Sequence, residues 1–313
     1  MKKKILAMYK LNYEEQMARL DERFEIVSVK NAEEAQSVID ENRDHIVAIL
    51  GVIGRKISGN LIKALPNLEI IASFGVGTDH IDLETAKERE IIVTNTPDVV
   101  TRDTADTAMA LLLSTSRRIV EADLYVRLGK WLQGSMPLGN ALWGKTLGVL
   151  GLGNIGKEIA KRASAFDMKI AYTARSEKPD QPYTYYKDAV SLARACDYLV
   201  VATPGGDETK HLVGRDVLEA LGPEGTLINI ARGSVVDEAA LIEALELGKI
   251  KRAGLDVYAD EPHVPEQLIQ MDQVVLLPHI GTATYETRHA QGEMVLANLE
   301  AYFSGKPLIS RVV

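Results

Sequence analysis

Short apolar runs alternate along the chain with segments in which apolar residues recur at helical spacing. In the first hundred residues the apolar runs predict five strands, at Lys4–Tyr9, Phe24–Val29, Ile46–Leu50, Ile70–Ser73 and Ile91–Asn95. Helical spacing predicts helices between them, over Glu33–Glu41, Asn60–Leu65 and Leu83–Glu90. Strands that alternate with helices are typical of βαβ units, so this part of the chain is expected to form a parallel sheet.

The pattern changes near residue 100. Asp103–Arg118 has apolar residues at helical spacing and no Gly or Pro, which predicts a long, largely buried helix, and Gly129–Trp143 reads as a loop. A second series of alternating elements follows. Its predicted strands are Thr146–Leu150, Lys169–Thr173, Tyr198–Ala202, Thr226–Ile230, Ala253–Val257 and Val274–Leu277. Its predicted helices are Gly156–Phe166, Asp188–Arg194 and Glu238–Leu247.

The last predicted helix, Tyr285–Phe303, is long enough to leave the second series and return to the first. The sequence therefore predicts an α/β fold with two doubly wound parallel-sheet domains. The first comprises residues 1–99 and 287–313 and is expected to have a flavodoxin-like sheet. The second, residues 100–286, is inserted into the first and is expected to have a Rossmann-type sheet.

Composition excludes several functional classes. The 313 residues are 46% hydrophobic and 26% charged, which is ordinary for a globular protein, and no apolar run approaches the length of a membrane helix. The net charge of −8 argues against nucleic acid and anionic membranes as partners. Cys196 is the single cysteine, so no internal disulfide forms. The apolar stretch at the N-terminus ends at Lys10 and reads as a strand, which favours a cytoplasmic protein.

A dinucleotide fingerprint lies between the strand Thr146–Leu150 and the helix after it. The motif Gly151-Leu152-Gly153-Asn154-Ile155-Gly156 has glycine at each of the three positions that the fingerprint requires. The first glycine makes the tight turn, the second lets the backbone approach the pyrophosphate, and the third lets the helix pack on the strand. The helix N-terminus then offers backbone N–H groups to the anion.

The end of the next strand bears on the choice of dinucleotide. NAD sites usually have an acidic residue there, which binds the ribose 2′-hydroxyl. This chain has Ala174, followed by Arg175 and Ser176, and a guanidinium can pair with a 2′-phosphate. The segment favours NADP(H), with NAD(H) as the alternative because Glu177 follows and because Arg175 could be an ordinary surface charge.

Three late strands each end in a residue suited to the reduction of a carbonyl group. Arg232 can bind a carboxylate and polarise a carbonyl, and His279 can donate a proton to the developing alkoxide. Glu261 can orient the His279 ring. Each residue alone would be an ordinary surface or packing residue, but the carboxyl ends of parallel strands meet at one edge of a sheet. No His, Asp or Glu cluster has the spacing of metal ligands, and no G-x-S-x-G motif is present.

Over essentially its whole length, the sequence resembles the D-isomer-specific 2-hydroxyacid dehydrogenases. Four segments carry the resemblance in the same order as in that family: Gly151–Gly156, Asn229–Asp237, Gly254–Pro262 and Leu277–Gly281. The chain is most similar to the glyoxylate/hydroxypyruvate reductase branch. The segments that suggest this branch are Ser73–Asp79, Ala174–Ser176 and Pro262–Glu266.

The resemblance implies a catalytic set of Arg232, Glu261 and His279, and a substrate carboxylate bound by backbone N–H groups of Phe74, Gly75, Val76 and Gly77, across a cleft from the nicotinamide. It also implies a homodimer, because in the family the loop between Gly129 and Trp143 reaches a second subunit. The implied cofactor contacts are Leu152, Gly153, Asn154, Ile155, Ala174, Arg175, Ser176, Thr203, Pro204, Ile230, Asp256, the backbone from His279 to Gly281, and Thr104.

Two positions depart from the family pattern, Thr104 and Gln291, where a small apolar residue and Met are more usual. These two departures bear on which substrate is preferred more than on the type of reaction. The leading hypothesis is an NADPH-dependent reductase of glyoxylate or hydroxypyruvate. The alternatives are an NAD-dependent dehydrogenase of phosphoglycerate, D-lactate or another 2-hydroxy acid, and a dinucleotide-sensing binding protein.

Overall fold

The computed structural model describes residues 2–29 and 32–313. The chain divides into two compact units, of which unit 1 runs to Val100 and resumes at Ala283, and unit 2 is Thr101–Thr282. Unit 2 is therefore an insertion in the sequence of unit 1. The units divide after Val100 and again after Thr282.

Within the described residues, the chain forms twelve strands and twelve α-helices. The strands are β1 (Lys3–Ala7), β2 (Phe24–Ser28), β3 (Ile46–Val52), β4 (Ile70–Phe74), β5 (Ile92–Thr94), β6 (Thr146–Leu150), β7 (Lys169–Thr173), β8 (Thr184–Tyr185), β9 (Tyr198–Val201), β10 (Thr226–Asn229), β11 (Arg252–Leu255) and β12 (Val274–Leu276). The helices are α1 (Glu14–Arg23), α2 (Ala32–Asn42), α3 (Gly59–Ala64), α4 (Leu83–Glu88), α5 (Thr101–Arg117), α6 (Ile119–Arg127), α7 (Asn154–Ser164), α8 (Ala189–Arg194), α9 (Arg215–Leu221), α10 (Glu238–Glu246), α11 (Glu266–Gln270) and α12 (Tyr285–Phe303).

Each unit is built on one wholly parallel sheet. Unit 1 has the strand order β2-β1-β3-β4-β5, and unit 2 has the order β12-β11-β10-β9-β6-β7-β8. The first is the flavodoxin order, and the second is the Rossmann order extended by one strand. The predicted α/β fold class, with two doubly wound parallel sheets, is confirmed. In both sheets the strand order reverses at the first strand of the unit, where such folds bind their ligands.

Residues that alternate along the strands of unit 1 fill two apolar layers, one on each face of the sheet. Ile5 and Ala7 lie in the layer that also contains Val295, Leu296 and Leu299 of α12. Leu6, between them, lies in the opposite layer. Because helices cover both faces of the sheet, its strands are apolar at nearly every position. Such strands appear in the sequence as continuous apolar runs.

Side chains at several helix N-termini accept a hydrogen bond from the backbone three residues later. Ser58, Asp82, Asp188, Asp237 and Thr284 each make this bond at the start of α3, α4, α8, α10 and α12. Such caps satisfy N–H groups that have no partner within the helix, and they fix where each helix begins. α12 consequently starts at Tyr285, where the sequence predicts it.

Five elements were not predicted: α1, α6, α9, α11 and β8. In α1 only Gln16 and Leu20 are buried, so it presents no apolar stripe, and α6 has no buried residue. β8 has two residues, too few for a period of two to be visible. Across residues 2–29 and 32–313, no helix combines the length and apolar character needed to cross a bilayer.

Candidate active site

The glycine motif Gly151–Gly156 occupies the turn between β6 and α7. Gly151 has a φ of +101°, and a Cβ there would lie 2.8 Å from the carbonyl oxygen of Ala202, at the end of β9. A Cβ on Gly156 would lie 2.1 Å from the carbonyl oxygen of Gly151. Both positions therefore require glycine, the first for its conformation and the second for close packing of α7 on the turn.

Gly153 differs from the other two glycines of the motif, because a Cβ at this position would have no atom within 4 Å. It is the N-cap residue of α7, with no side-chain cap bond and no acidic residue in the first turn of the helix. The first turn of α7 thus has neither a side-chain cap from its N-cap residue nor a carboxylate of its own that would repel an anion. Thr203 follows β9, and its backbone nitrogen lies 2.9 Å from the position of a Cβ on Gly151. The Thr203 hydroxyl is buried and has no hydrogen-bond partner among the described residues. These features fit the pyrophosphate and ribose of a dinucleotide.

The residues after β7 include an exposed arginine that makes no ion pair with any described residue. Ala174 is half-buried, whereas Arg175, Ser176 and Glu177 are exposed. In the described part of the chain, Arg175 has no carboxylate within ion-pair distance. Its guanidinium is therefore available to an external anion, as a site for a 2′-phosphate requires.

The other predicted cofactor contacts differ in their accessibility. Leu152 and Ile230 belong to the apolar core of unit 2, and the Asp256 side chain is buried as well. These residues can reach a dinucleotide through their backbone, not through an exposed side chain. Asn154 and Ile155 are the first two residues of α7, and Pro204, which follows β9, is exposed. Thr104 on α5 lies beside Gly281, 3.7 Å from the position of a Cβ there.

Glu261 and His279 form a hydrogen-bonded pair in unit 2. Nδ1 of His279 lies 2.7 Å from one carboxylate oxygen of Glu261. The other oxygen accepts a hydrogen bond of 3.0 Å from the backbone N–H of Tyr258, which fixes the orientation of the carboxylate. Both side chains are partly exposed, so the pair can meet a small molecule.

The charge state of Glu261 determines which nitrogen of His279 can react. Burial raises the pKa of the Glu261 carboxyl, but the hydrogen bond and charge of His279, the Tyr258 N–H and the charge of Arg232 together hold this pKa below its ordinary value. Glu261 is thus ionised and can only accept hydrogen bonds, so Nδ1 of His279 carries the proton of the pair. Nε2 is left as the nitrogen that can exchange a proton with a substrate.

The backbone after β12 holds His279 in an uncommon conformation. His279 has a φ of +53°, in the left-handed region. The Asp256 carboxylate accepts the next two backbone N–H groups, those of Ile280 at 2.7 Å and Gly281 at 2.9 Å. Burial raises the pKa of Asp256, although these two bonds oppose the shift. Asp256 therefore secures the turn that directs His279 toward Glu261.

Arg232 follows β10 and lies near the same pair. A Cβ on the next residue, Gly233, would lie 1.9 Å from the backbone of Tyr258, so the loops that carry Arg232 and Glu261 pack directly against each other. The charge of Arg232 contributes to the lowered pKa of Glu261. Unit 2 therefore brings Arg232, Glu261 and His279 together, whereas in the sequence they are far apart.

In unit 1, residues 74–77 form a loop at the carboxyl end of β4, where two peptide groups are held by the segment after β5. The carbonyl of Gly75 accepts from the N–H of Thr96 at 2.9 Å, and the carbonyl of Val76 accepts from the Asn95 side chain at 2.9 Å. In a trans peptide the N–H points away from the carbonyl. The N–H groups of Val76 and Gly77 therefore point away from residues 95–96, and no described residue accepts a hydrogen bond from them.

Phe74, at the start of this loop, has a cation beside it. The guanidinium of Arg288 on α12 lies 5.5 Å from the centre of the Phe74 ring, and Tyr9 contacts the same ring at 5.0 Å. Burial lowers the pKa of Arg288, which has no carboxylate partner in the described part of the chain. A guanidinium remains protonated nonetheless, so Arg288 is a half-buried cation that could attract an anionic ligand.

Sequence reasoning missed Asn95, Thr96 and Arg288. The first two were visible as polar residues that follow an apolar strand, at the edge of the sheet where ligands bind. Arg288 gave no signal, because its position beside Phe74 depends on how α12 packs. Among the described residues, no group of three or more His, Cys, Asp or Glu side chains could hold a metal ion.

Replacing Glu261 with Gln is expected to lower the free energy of unfolding by about 1 kcal/mol near neutral pH, the usual size for a partly exposed charge-assisted hydrogen bond. Because the native pKa lies below the ordinary value of 4.5, this contribution is present above pH 4.5 and is lost as the pH falls through the native pKa. Urea denaturation of wild type and variant at a series of pH values measures the difference.

Asp260→Asn is the matched control, since Asp260 is 88% exposed and its own histidine partner, His263, is 3.5 Å away. This variant is expected to change stability little at any pH. A difference between wild type and the Glu261→Gln variant that stays constant as the pH is lowered would contradict the role assigned to the Glu261 charge.

Comparison with known proteins gives a consistent result. The family model for the D-isomer specific 2-hydroxyacid dehydrogenase, NAD binding domain, matches residues 109–281, more than half of the chain. The chain is 49% identical over 294 residues to glyoxylate/hydroxypyruvate reductase A of Arabidopsis thaliana, and 48% identical over 294 residues to hydroxyphenylpyruvate reductase of Plectranthus scutellarioides. Each alignment covers 94% of both proteins.

A solved structure extends the similarity to the whole fold. It is an NADPH-dependent glyoxylate/hydroxypyruvate reductase from Sinorhizobium meliloti, in complex with NADP and malonate. The two chains are 43% identical with a TM-score of 0.94, over 100% of this chain and 97% of the other. From the family model, the relatives and the shared fold, we conclude that the chain belongs to the D-isomer specific 2-hydroxyacid dehydrogenase family.

Proposed function

We propose that the protein is an NADPH-dependent reductase of small 2-keto acids, with glyoxylate and hydroxypyruvate as the expected substrates and 2-hydroxy acids as products. The observation that carries the proposal is the 2.7 Å contact between His279 and Glu261, in the same unit as the glycine motif. A histidine held by a carboxylate suits proton donation to a carbonyl oxygen. The names of the two reductases of glyoxylate and hydroxypyruvate, from Arabidopsis and Sinorhizobium, support the substrate class.

In this proposal the reduced nicotinamide, when bound, supplies the hydride that adds to the keto carbon. Nε2 of His279 then gives its proton to the developing alkoxide, and ionised Glu261 stabilises the charged imidazole before transfer. Arg232 binds the substrate and polarises its carbonyl, since a guanidinium supplies both charge and hydrogen-bond donors. One hydride and one proton convert the ketone to the alcohol.

Unit 1 is proposed to bind the substrate carboxylate. The free N–H groups of Val76 and Gly77 are two neighbouring donors of the kind that receives a carboxylate. Arg288 adds a positive charge beside the same loop. The chain is nearly as similar to hydroxyphenylpyruvate reductase as to glyoxylate/hydroxypyruvate reductase, so both relatives support 2-keto acids as the substrate class.

The proposed cofactor is NADP(H), with NAD(H) as a weaker substitute. The open turn at Gly153 and the unpartnered Thr203 hydroxyl suit either dinucleotide. The exposed Arg175 favours the one with a 2′-phosphate, because a charge-assisted bond to that group has no counterpart in NAD(H).

The proposed functional form is a homodimer. In unit 2, α6 and the segment after it expose an apolar face, and α6 has no buried residue. The apolar face consists of Ile119, Val120, Leu124, Val126, Leu128, Trp131, Leu132, Leu138 and Trp143. Exposure of this many large apolar side chains along one segment is unusual for a monomer, and a second copy with the same segment is the simplest partner that would cover them.

His279→Gln is expected to lower kcat/KM for glyoxylate by about a hundred- to ten-thousandfold, because the proton donor is lost. The dissociation constant of NADPH should remain near the wild-type value, as measured by fluorescence titration. His263→Gln is the matched control, a surface histidine that is 81% exposed beside Asp260. Turnover that survives in the His279 variant would show the assigned proton donor to be wrong.

Arg175→Ala is expected to raise KM for NADPH by about ten- to a hundredfold, the usual effect of losing a charge-assisted hydrogen bond. KM for NADH should change little, since that cofactor has no 2′-phosphate. Glu177→Gln serves as the control, because this exposed carboxylate is expected to contact neither cofactor. If wild type prefers NADH, or if Glu177→Gln impairs NADH use, the assignment of this segment is wrong.

Leu132→Glu combined with Leu138→Glu is expected to convert the dimer to a monomer, because each charge would have to be buried in the interface. Light scattering after gel filtration should give about twice 34.3 kDa for wild type and 34.3 kDa for the variant. Leu247→Glu, which changes an exposed leucine outside the apolar face, should leave the mass unchanged. A monomeric wild type would refute the dimer.

A further inference from the structure

Gln291 connects α12 to the loop of residues 74–77 through a single hydroxyl group. Its side-chain Nε2 donates a hydrogen bond of 3.2 Å to Oγ1 of Thr96. The same oxygen accepts the backbone N–H of Gly75 at 3.0 Å. Gln291 and Thr96 are 1% and 0% exposed, so no water competes at the surface for these bonds.

Thr96 holds Gly75 on both sides. Besides the bond from the Gly75 N–H, the backbone N–H of Thr96 donates to the Gly75 carbonyl at 2.9 Å. Gly75 has a φ of +139°, a conformation open to glycine, so the direction of the next peptide depends on how Gly75 is held. The position of Thr96 therefore sets the direction of the Val76 N–H, one of the two free donors of the loop.

Stability alone does not explain the amide of Gln291. Its Oε1 is buried and has no hydrogen-bond partner among the described residues. A buried polar atom without a partner is destabilising, whereas an apolar side chain of similar shape would leave no such atom. The unpartnered oxygen alone assigns no role, and what distinguishes Gln291 is that its Nε2 bonds the hydroxyl group that also holds Gly75.

We propose that Gln291 is a positioning residue, which fixes Thr96 and through it the N–H donors of Val76 and Gly77 for the carboxylate of the substrate. The inference rests on the proposed function, since it assigns a role within the binding of a 2-keto acid. Gln291 acts on how firmly the acid is bound, not on proton or hydride transfer.

The chain contains a matched control for this idea. Gln16 is also a fully buried glutamine with an unpartnered Oε1, and its Nε2 donates to the His289 carbonyl and to Glu293 on the same helix α12. It makes no bond to Thr96 or to residues 74–77. Gln16→Met therefore tests the loss of a buried amide that packs on α12 without touching the loop.

The test compares wild type with Gln291→Met, Thr96→Val, the double variant and Gln16→Met. Gln291→Met is expected to raise KM for glyoxylate and the dissociation constant of oxalate, a non-reducible acid, by roughly three- to tenfold, while kcat and the NADPH dissociation constant change less than about twofold. Thr96→Val should have at least the same effect, and the double variant should be no worse than Thr96→Val, because both changes break one connection. Gln16→Met should shift neither constant, whatever its effect on the unfolding temperature.

Oxalate binding, measured by calorimetry on the NADPH-bound protein, separates the two proposals. If wild type reduces no 2-keto acid, the proposed function fails, yet weaker oxalate binding by Gln291→Met would still support the positioning role. If wild type reduces glyoxylate but Gln291→Met leaves KM and oxalate binding unchanged, or shifts them no more than Gln16→Met does, the inference is overturned. Additive effects of Gln291→Met and Thr96→Val would also overturn it.

Discussion

The proposed chemistry depends on one buried carboxylate. Asp256 accepts the backbone N–H groups of Ile280 and Gly281, and in doing so holds the preceding residue, His279, at a positive φ. A left-handed conformation at a residue with a side chain is unfavourable by itself and persists where neighbouring structure imposes it. Burial makes the two hydrogen bonds to Asp256 strong, since no water competes for them. The alignment of His279 with Glu261 follows from this restraint.

Unit 1 applies the same principle with neutral groups. The loop of residues 74–77 offers two N–H donors because the carbonyls of Gly75 and Val76 are bound by residues 95–96. In each unit, a backbone segment proposed to meet the substrate is held by a buried side chain, which is Asp256 in unit 2 and Thr96 in unit 1. The net charge of −8 gives no sign of an anion site. The exposed or half-buried cations Arg175, Arg232 and Arg288 nevertheless lie where an anion is expected.

Much of the fold could be predicted from the sequence, because strands covered on both faces appear as continuous apolar runs. β6, β7 and α12 have the predicted bounds, and most other strands differ by one or two residues at an end. α1 and α6 could not be recognised, since neither buries an apolar stripe. The glycine motif and the residues Arg232, Glu261 and His279 follow strand ends, so the topology of a parallel sheet was enough to bring them into one hypothesis.

The restraints behind the site could not be predicted in the same way. Gln291 and Thr96 are 195 positions apart in the sequence, and no local pattern links an amide on one helix to a hydroxyl after a strand. The sequence marked Gln291 only as unusual. The approach of Arg288 to Phe74 likewise arises from the packing of α12 on the sheet, which is set by apolar residues elsewhere on that helix.

The hydrogen bond between the Thr287 hydroxyl and the Val99 carbonyl, 3.3 Å long, has a consequence for the history of the chain. Val99 lies just before the polypeptide leaves unit 1, and Thr287 lies just after it returns. The departing and returning segments are therefore side by side. An inserted domain fits at this point if its own N- and C-termini lie close together. Because the chain leaves and re-enters unit 1 at adjacent points, evolution could replace the inserted domain with another one without changing the strand order of the unit 1 sheet.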